Sequence, residues 1–139
     1  MPQVETLLTQ MTLEEKAALT VGQDFWTTVP IARLNIPSIW LSDGPTGLRK
    51  SPNPTDAGIG SSLPATTFPT ESALASSWNP ALAYEVGKAI AIEAQAHDVQ
   101  VLLGPGVNLK RSPLGGRNFE YLIEKYCFMS TNSFEGVVQ

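Results

Sequence analysis

One cysteine and one histidine among 139 residues leave little room for metal or disulfide chemistry. Cys127 alone can close no internal disulfide and can found no multi-cysteine metal site, a count compatible with a reducing compartment. His97 has no second histidine with which to share a metal, and its place at the end of a helical stretch reads as a structural or solvated side chain near the helix carbonyls. Positive charge is sparse too. Nine Lys and Arg face thirteen Asp and Glu, for a formal net charge of -4, and no long basic run is present. Phosphate neutralisation needs clustered cations, so nucleic acid is excluded as a partner and a neutral small molecule fits better. No segment holds eighteen apolar residues in a row, so no membrane partner is expected. The first twenty residues lack the basic start and continuous apolar core of a signal peptide, which predicts a cytoplasmic location. Internal repeats and low-complexity blocks are absent as well.

What the chain does have is enough apolar material, 42% of residues, for one core. In "TLEEKAALTVG", Thr12 as cap and Glu15 three positions later spell a capping box, and Gly22 is placed to end the helix. "IPSIWLSD" is a short apolar run between Pro37 and Asp43, which predicts a buried strand ending near Asp43. Residues 44–69 are dense in Pro, Gly, Ser and Thr and read as one long loop, a length more often functional than not. Asn79 then caps a helix with Pro80 in its first position and Leu82, Val86 and Ile90 at helical spacing. "VQVLLG" gives a second short strand, followed by the loop "GPGVNLKRSPLGGRNFE".

The order of helix, strand, long loop, helix, strand, long loop is the grammar of parallel βα units. The expected class is therefore α/β, a partial (β/α)8 TIM-type barrel holding only its amino-terminal βα units, because a closed barrel needs eight strands and about 250 residues. Residues 1–121 form that part, and residues 122–139 are an unassigned tail with neither helical nor strand period.

Asp43 lies where the first strand meets its loop. It is either a turn opener before Gly44 and Pro45 or a carboxylate placed to grip a polar ligand, and spacing does not separate the two. Arg49 follows a turn tight enough to fold back toward Asp43, there to share a ligand or form an ion pair. "GPTGLRKS" lacks the Gly-Lys-Ser ending of a phosphate loop, and "GPGVNL" lacks the third glycine of a dinucleotide fingerprint. Trp26, Trp40 and Trp78 have faces on which a sugar can stack, but aromatics more often fill cores, and Trp40 sits inside an apolar strand. In "NLKRSPLGGRNFEY", by contrast, Lys110, Arg111 and Arg117 share one loop, with Glu120 close behind.

The pieces "TLEEKAALT", "DFWTTVPIARLNIPSIWLSDGPTGLR", "FPTESALASSWNPALAYEVGKAIAIEA" and "VLLGPGVNLKRSPLGGRNFEY" resemble, in order and spacing, the amino-terminal part of the family 3 glycoside hydrolases, and most of all its β-glucosidases. The resemblance implies a barrel that holds a sugar at its carboxyl face, with Asp43, Arg49 and Arg117 in the substrate-binding positions of the innermost subsite. Glu120 would orient Arg117 or a backbone group. It implies no cofactor and no metal, and as partner a β-glucoside or short β-linked oligosaccharide. The implied activity is hydrolysis of terminal β-linked glucose with retention of configuration, for which a nucleophile and an acid/base are required. The family carries both beyond the positions matched here, so no catalytic residue is assigned and the chain alone is expected to be inactive. The alternatives are β-xylosidase or N-acetylhexosaminidase activity of the same family, or a non-catalytic truncated fragment that binds sugar. After Tyr121 the family continues with a Phe-Ser-Glu-Asp-Pro run, of which only Glu124 matches.

Overall fold

The computed structural model describes residues 2–122. The tail, with Glu124 and Cys127, lies outside the described residues. Six regular elements follow one another: α1 Pro2–Gln10, α2 Leu13–Leu19, β1 Leu41–Asp43, α3 Glu71–Ser76, α4 Pro80–Ala96 and β2 Val101–Leu103, with short 3-10 turns at Ala32–Leu34 and Asn118–Glu120. The described part is a small α/β unit whose two strands run parallel, with Leu41 opposite Val101, Ser42 opposite Leu102 and Asp43 opposite Leu103.

Caps fix the helices where the sequence places them. Thr12 Oγ1 accepts from the Glu15 amide at 3.2 Å while Glu15 Oε2 accepts from the Thr12 amide at 2.9 Å, so two orphan donors are satisfied reciprocally. Glu15 also holds Arg33 in an ion pair at 2.7 Å. The helix stops at Thr20 rather than at Gly22, which instead forms an isolated antiparallel bridge with Thr28. Asn79 Oδ1 accepts from the Leu82 amide at 3.1 Å, and Pro80 begins a helix of 17 residues. Two elements go beyond the sequence expectation: α1 is a separate helix, and α3 is a short helix capped by Thr70 ahead of α4.

The expected first strand shortens to three residues, and ahead of it Trp40 forms an isolated antiparallel bridge with Thr27. The Ile39 carbonyl accepts from Thr28, and the Leu41 amide donates to Trp26. Trp40 and Leu102 pack on a cluster of Leu48, Ala94 and Val99, so the core joins both strands, α4 and the turn that follows β1. Lys50 lies 4.2 Å from the centroid of the Trp40 ring, and its Nζ donates to the His97 carbonyl at 2.5 Å, closing the end of α4. His97 thus serves through its backbone, as the cap of that helix. Trp26 is buried and donates from Nε1 to the Asp56 carbonyl at 2.6 Å, whereas Trp78 is exposed.

Apolar surface remains open on the sheet and on α4: Val101, Leu103, Leu82 and Ile92 are all exposed. A parallel pair of three-residue strands with such faces uncovered is marginal in water. Heating the purified 139-residue chain should therefore give a broad, non-cooperative loss of helical circular dichroism, and a sharp two-state transition from a soluble monomer would contradict this.

Candidate functional site

Because the strands are parallel and Asp43 is level with Leu103, the loops 44–70 and 104–122 leave from the same end of the sheet. They touch at once: a Cβ placed on Gly104 would meet the Pro45 Cα at 3.1 Å.

The turn after Asp43 is closed through the backbone. The Arg49 amide donates to the Asp43 carbonyl at 2.8 Å, and the Gly47 amide donates to the Gly44 carbonyl at 3.3 Å. Gly47 has φ of +129°, and a Cβ there would lie 2.2 Å from the Thr66 carbonyl oxygen, so only glycine serves at this point. Thr66 is held by Glu93 of α4, whose carboxylate accepts from its amide at 3.1 and 3.2 Å. The returning chain is pinned by the Phe68 amide donating to the Thr46 carbonyl at 2.8 Å. The arrangement brings Arg49 beside Asp43, yet their side chains form no ion pair, and Arg49 is exposed. Ser42, beneath the turn, is buried at 1% exposure.

From the other loop, Arg117 pairs through Nε with Glu120 Oε1, within the 3-10 turn that follows it. The ion pair with Glu120 holds the Arg117 guanidinium above its usual range, with smaller contributions from Tyr121 and Asp43. The structure thus gathers Asp43, Arg49, Arg117 and Glu120 at one end of the sheet. Lys110, the neighbouring cation, turns to Ser72, donating to its Oγ at 2.9 Å. An open pocket of about 450 Å3 lies there, lined by Ser72, Lys110, Ser112, Pro113, Asn118 and Phe119, and by none of the residues around Asp43. Among the described residues, no group of three metal-ligating side chains occurs, and no helix is long and apolar enough to cross a membrane.

Glu71 was not singled out by the sequence. An acid in the first turn of a helix ordinarily faces solvent and complements the dipole, but Glu71 is 2% exposed, with both carboxylate oxygens accepting from the Gly106 amide at 2.9 and 2.8 Å. Burial is the largest influence on its carboxyl, and the negative charge of Glu120 adds to it. The Gly106 hydrogen bond opposes them, and the pKa is pushed up to about 7. The only sequence signal for this was a lone acid inside "TESALASS", an otherwise small and apolar run.

The sequence profile of the glycosyl hydrolase family 3 N terminal domain matches residues 7–130. Thermostable beta-glucosidase B of Acetivibrio thermocellus is 54% identical over 122 residues, which are 87% of this chain and 16% of that protein. An exo-alpha-(1->6)-L-arabinopyranosidase of Bifidobacterium longum is 51% identical over 116 residues, 82% of this chain and 15% of the relative. In solved structures, beta-glucosidase 3B from Thermotoga neapolitana in complex with alpha-D-glucose superposes with a TM-score of 0.73 at 42% identity, over 86% of this chain and 18% of that one. The chain therefore spans about one sixth of the length of the relatives it matches.

The raised carboxyl pKa carries a sign that experiment can check. A group whose folded pKa exceeds its unfolded one contributes stability that is complete below about 4.5 and is lost as pH rises to about 7, above which the contribution is constant. The side-chain carboxyl carbon of Glu71, followed by NMR in the 139-residue chain, should titrate near pH 7. A midpoint near 4.5 would mean that the carboxyl is solvated.

Proposed function

Since this chain belongs to glycosyl hydrolase family 3, we propose that it supplies part of the innermost sugar subsite of a β-glucosidase built on a (β/α)8 barrel, of which β1 and β2 are two neighbouring strands. The observation that carries the reading is that the loop bearing Arg49, which follows Asp43, and the loop bearing Arg117 both leave the carboxyl end of parallel strands, the face from which such barrels bind ligands.

A neutral pyranose offers hydroxyls and no charge, so its recognition needs directional hydrogen bonds. Asp43 supplies a carboxylate able to accept from two hydroxyls at once. Arg49 and Arg117 supply planar donors, and Glu120 fixes the second of them by an ion pair that leaves the other guanidinium nitrogens to donate. Terminal β-linked glucose is the expected glycone and hydrolysis with retention the expected outcome. That chemistry requires a carboxylate nucleophile and a carboxylic acid on opposite faces of the bond, and we assign both to the portion of the enzyme beyond this chain. Among the relatives, the arabinopyranosidase supports a second glycone, another pyranose, whose selection over glucose would rest on residues outside the segment.

The 139-residue chain alone should show no turnover of aryl β-glucosides. Release above that of an empty-vector preparation, abolished by a substitution within this chain, would contradict the assignment. The role of Asp43 is tested in a full-length family 3 β-glucosidase carrying residues 2–122 of this chain in place of its own segment. Asp43→Ala removes charge-assisted hydrogen bonds of roughly 1.5 to 3 kcal/mol each, so loss of two should lower kcat/KM on the order of a hundredfold or more. Asp43→Asn, which replaces a double acceptor by a group that is half donor, should lose much of the same activity at nearly unchanged Tm. A turn opener would tolerate Asn, so near-normal kcat/KM for that variant would reject sugar binding by Asp43.

A further inference from the structure

Glu71 is a buried carboxylate for which the sugar site, as described, has no direct use. It has no ion-pair partner among the described residues, and the charge facing it, that of Glu120, is of like sign. Burial of an acid in such surroundings is costly unless its hydrogen bonds are needed, and here they all go to one backbone amide, that of Gly106.

Gly106 is the point at which the arginine-bearing loop is tied at both ends. Its amide is held by Glu71, and its carbonyl accepts from the Leu122 amide at 2.9 Å, on the far side of Arg117 and Glu120. The approach is close enough to demand glycine, since a Cβ there would meet the Glu120 carbonyl oxygen at 2.2 Å and Glu71 Oε2 at 2.7 Å. The next residue of α3 completes the tie: Ser72 Oγ lies 3.0 Å from the Asn118 carbonyl and 3.1 Å from that of Phe119, sharing its proton between them, and accepts from Lys110. The first turn of α3 thus holds the entry, the 3-10 turn and the exit of the loop that presents Arg117.

We infer that Glu71, with Ser72 beside it, is a positioning residue of the sugar subsite, fixing the loop 106–122 that presents Arg117 at the end of the sheet where Asp43 lies. The inference rests on the proposed sugar-binding role of Arg117. Glu71 itself, enclosed and turned to Gly106, does not touch the sugar. Either protonation state of its carboxyl retains an oxygen that accepts from Gly106, and so does the amide of Gln.

The test is a double-mutant cycle in the same full-length chimera, read as kcat/KM on an aryl β-glucoside and as inhibition by glucose. Arg117→Ala comes first as the control for the subsite: if both readouts stay within twofold of the parent, the sugar-binding reading fails and this inference with it. With that control lowered, Glu71→Leu, which keeps bulk and removes the acceptor, should weaken both readouts about tenfold in the parent background but less than about twofold when Arg117 is already Ala, because coupled residues are not additive. Glu71→Gln should remain within about threefold of the parent. Equal losses from Glu71→Leu in both backgrounds would leave the sugar site standing and overturn the positioning role, as would a Gln variant no better than Leu. Should Glu71→Leu fail to fold, Ser72→Ala decides, with about a threefold loss expected only where Arg117 is present. A silent or additive Ser72→Ala would then overturn the proposal.

Discussion

The parallel register of β1 and β2 is the constraint on which the rest depends. With Asp43 level with Leu103, two loops that are sixty residues apart in the chain begin at the same height on the same edge. A slip of one residue would reverse which strand side chains face the core. It would take Leu102 from the Leu48, Ala94 and Val99 cluster and remove Asp43 from its place at the mouth of the sheet. The register is supported by this packing and by the Trp40 carbonyl, which accepts from both Gln100 and Val101.

Above that sheet, each loop is held by a carboxylate from a helix. Glu93 of α4 grips Thr66, whose carbonyl lies against Gly47 and so shapes the turn carrying Asp43 and Arg49. Glu71 of α3 grips Gly106 and so shapes the loop carrying Arg117. In both cases a glycine stands where the held backbone approaches too closely for a side chain. The two supports differ in their surroundings: Glu93 is half-buried, whereas Glu71 is enclosed and its carboxyl is driven up by burial.

Much of this was legible in the residues, and the unread remainder has a common cause. The capping box of Thr12 and Glu15, the Asn79 and Pro80 start of α4 and the end of β1 at Asp43 are local signals whose partners lie within a few positions. The cation-rich loop and the tight turn after Asp43 were also visible as candidates. What the sequence could not specify were bonds spanning 27 to 47 residues: Thr66 to Glu93, Glu71 to Gly106, and Lys50 to His97. Each is made by a residue with an ordinary local explanation, and its partner is chosen only when the strands pair. The contact between Arg49 and Asp43 is a local case. Spacing brought the two residues together, and of the two contacts it left open the ion pair does not form, the bond between them being one of backbones.

A carboxyl with a pKa near 7 invites assignment as a general acid, because acids of glycoside hydrolysis are raised in this way. Glu71 does not fit that role. A general acid must come within hydrogen-bond reach of the glycosidic oxygen, but Glu71 is 2% exposed and directs both oxygens to Gly106 beneath the loop. Its neighbour Glu120 is committed to Arg117. Of the acids at this end of the sheet, only Asp43 stands where two loops converge without an ion-pair partner among the described residues, and one carboxylate cannot occupy both faces of a glycosidic bond. On the proposed reading, the segment contributes recognition and its support, and the pair of carboxyls that cleavage requires is assigned to the portion of the enzyme beyond this chain.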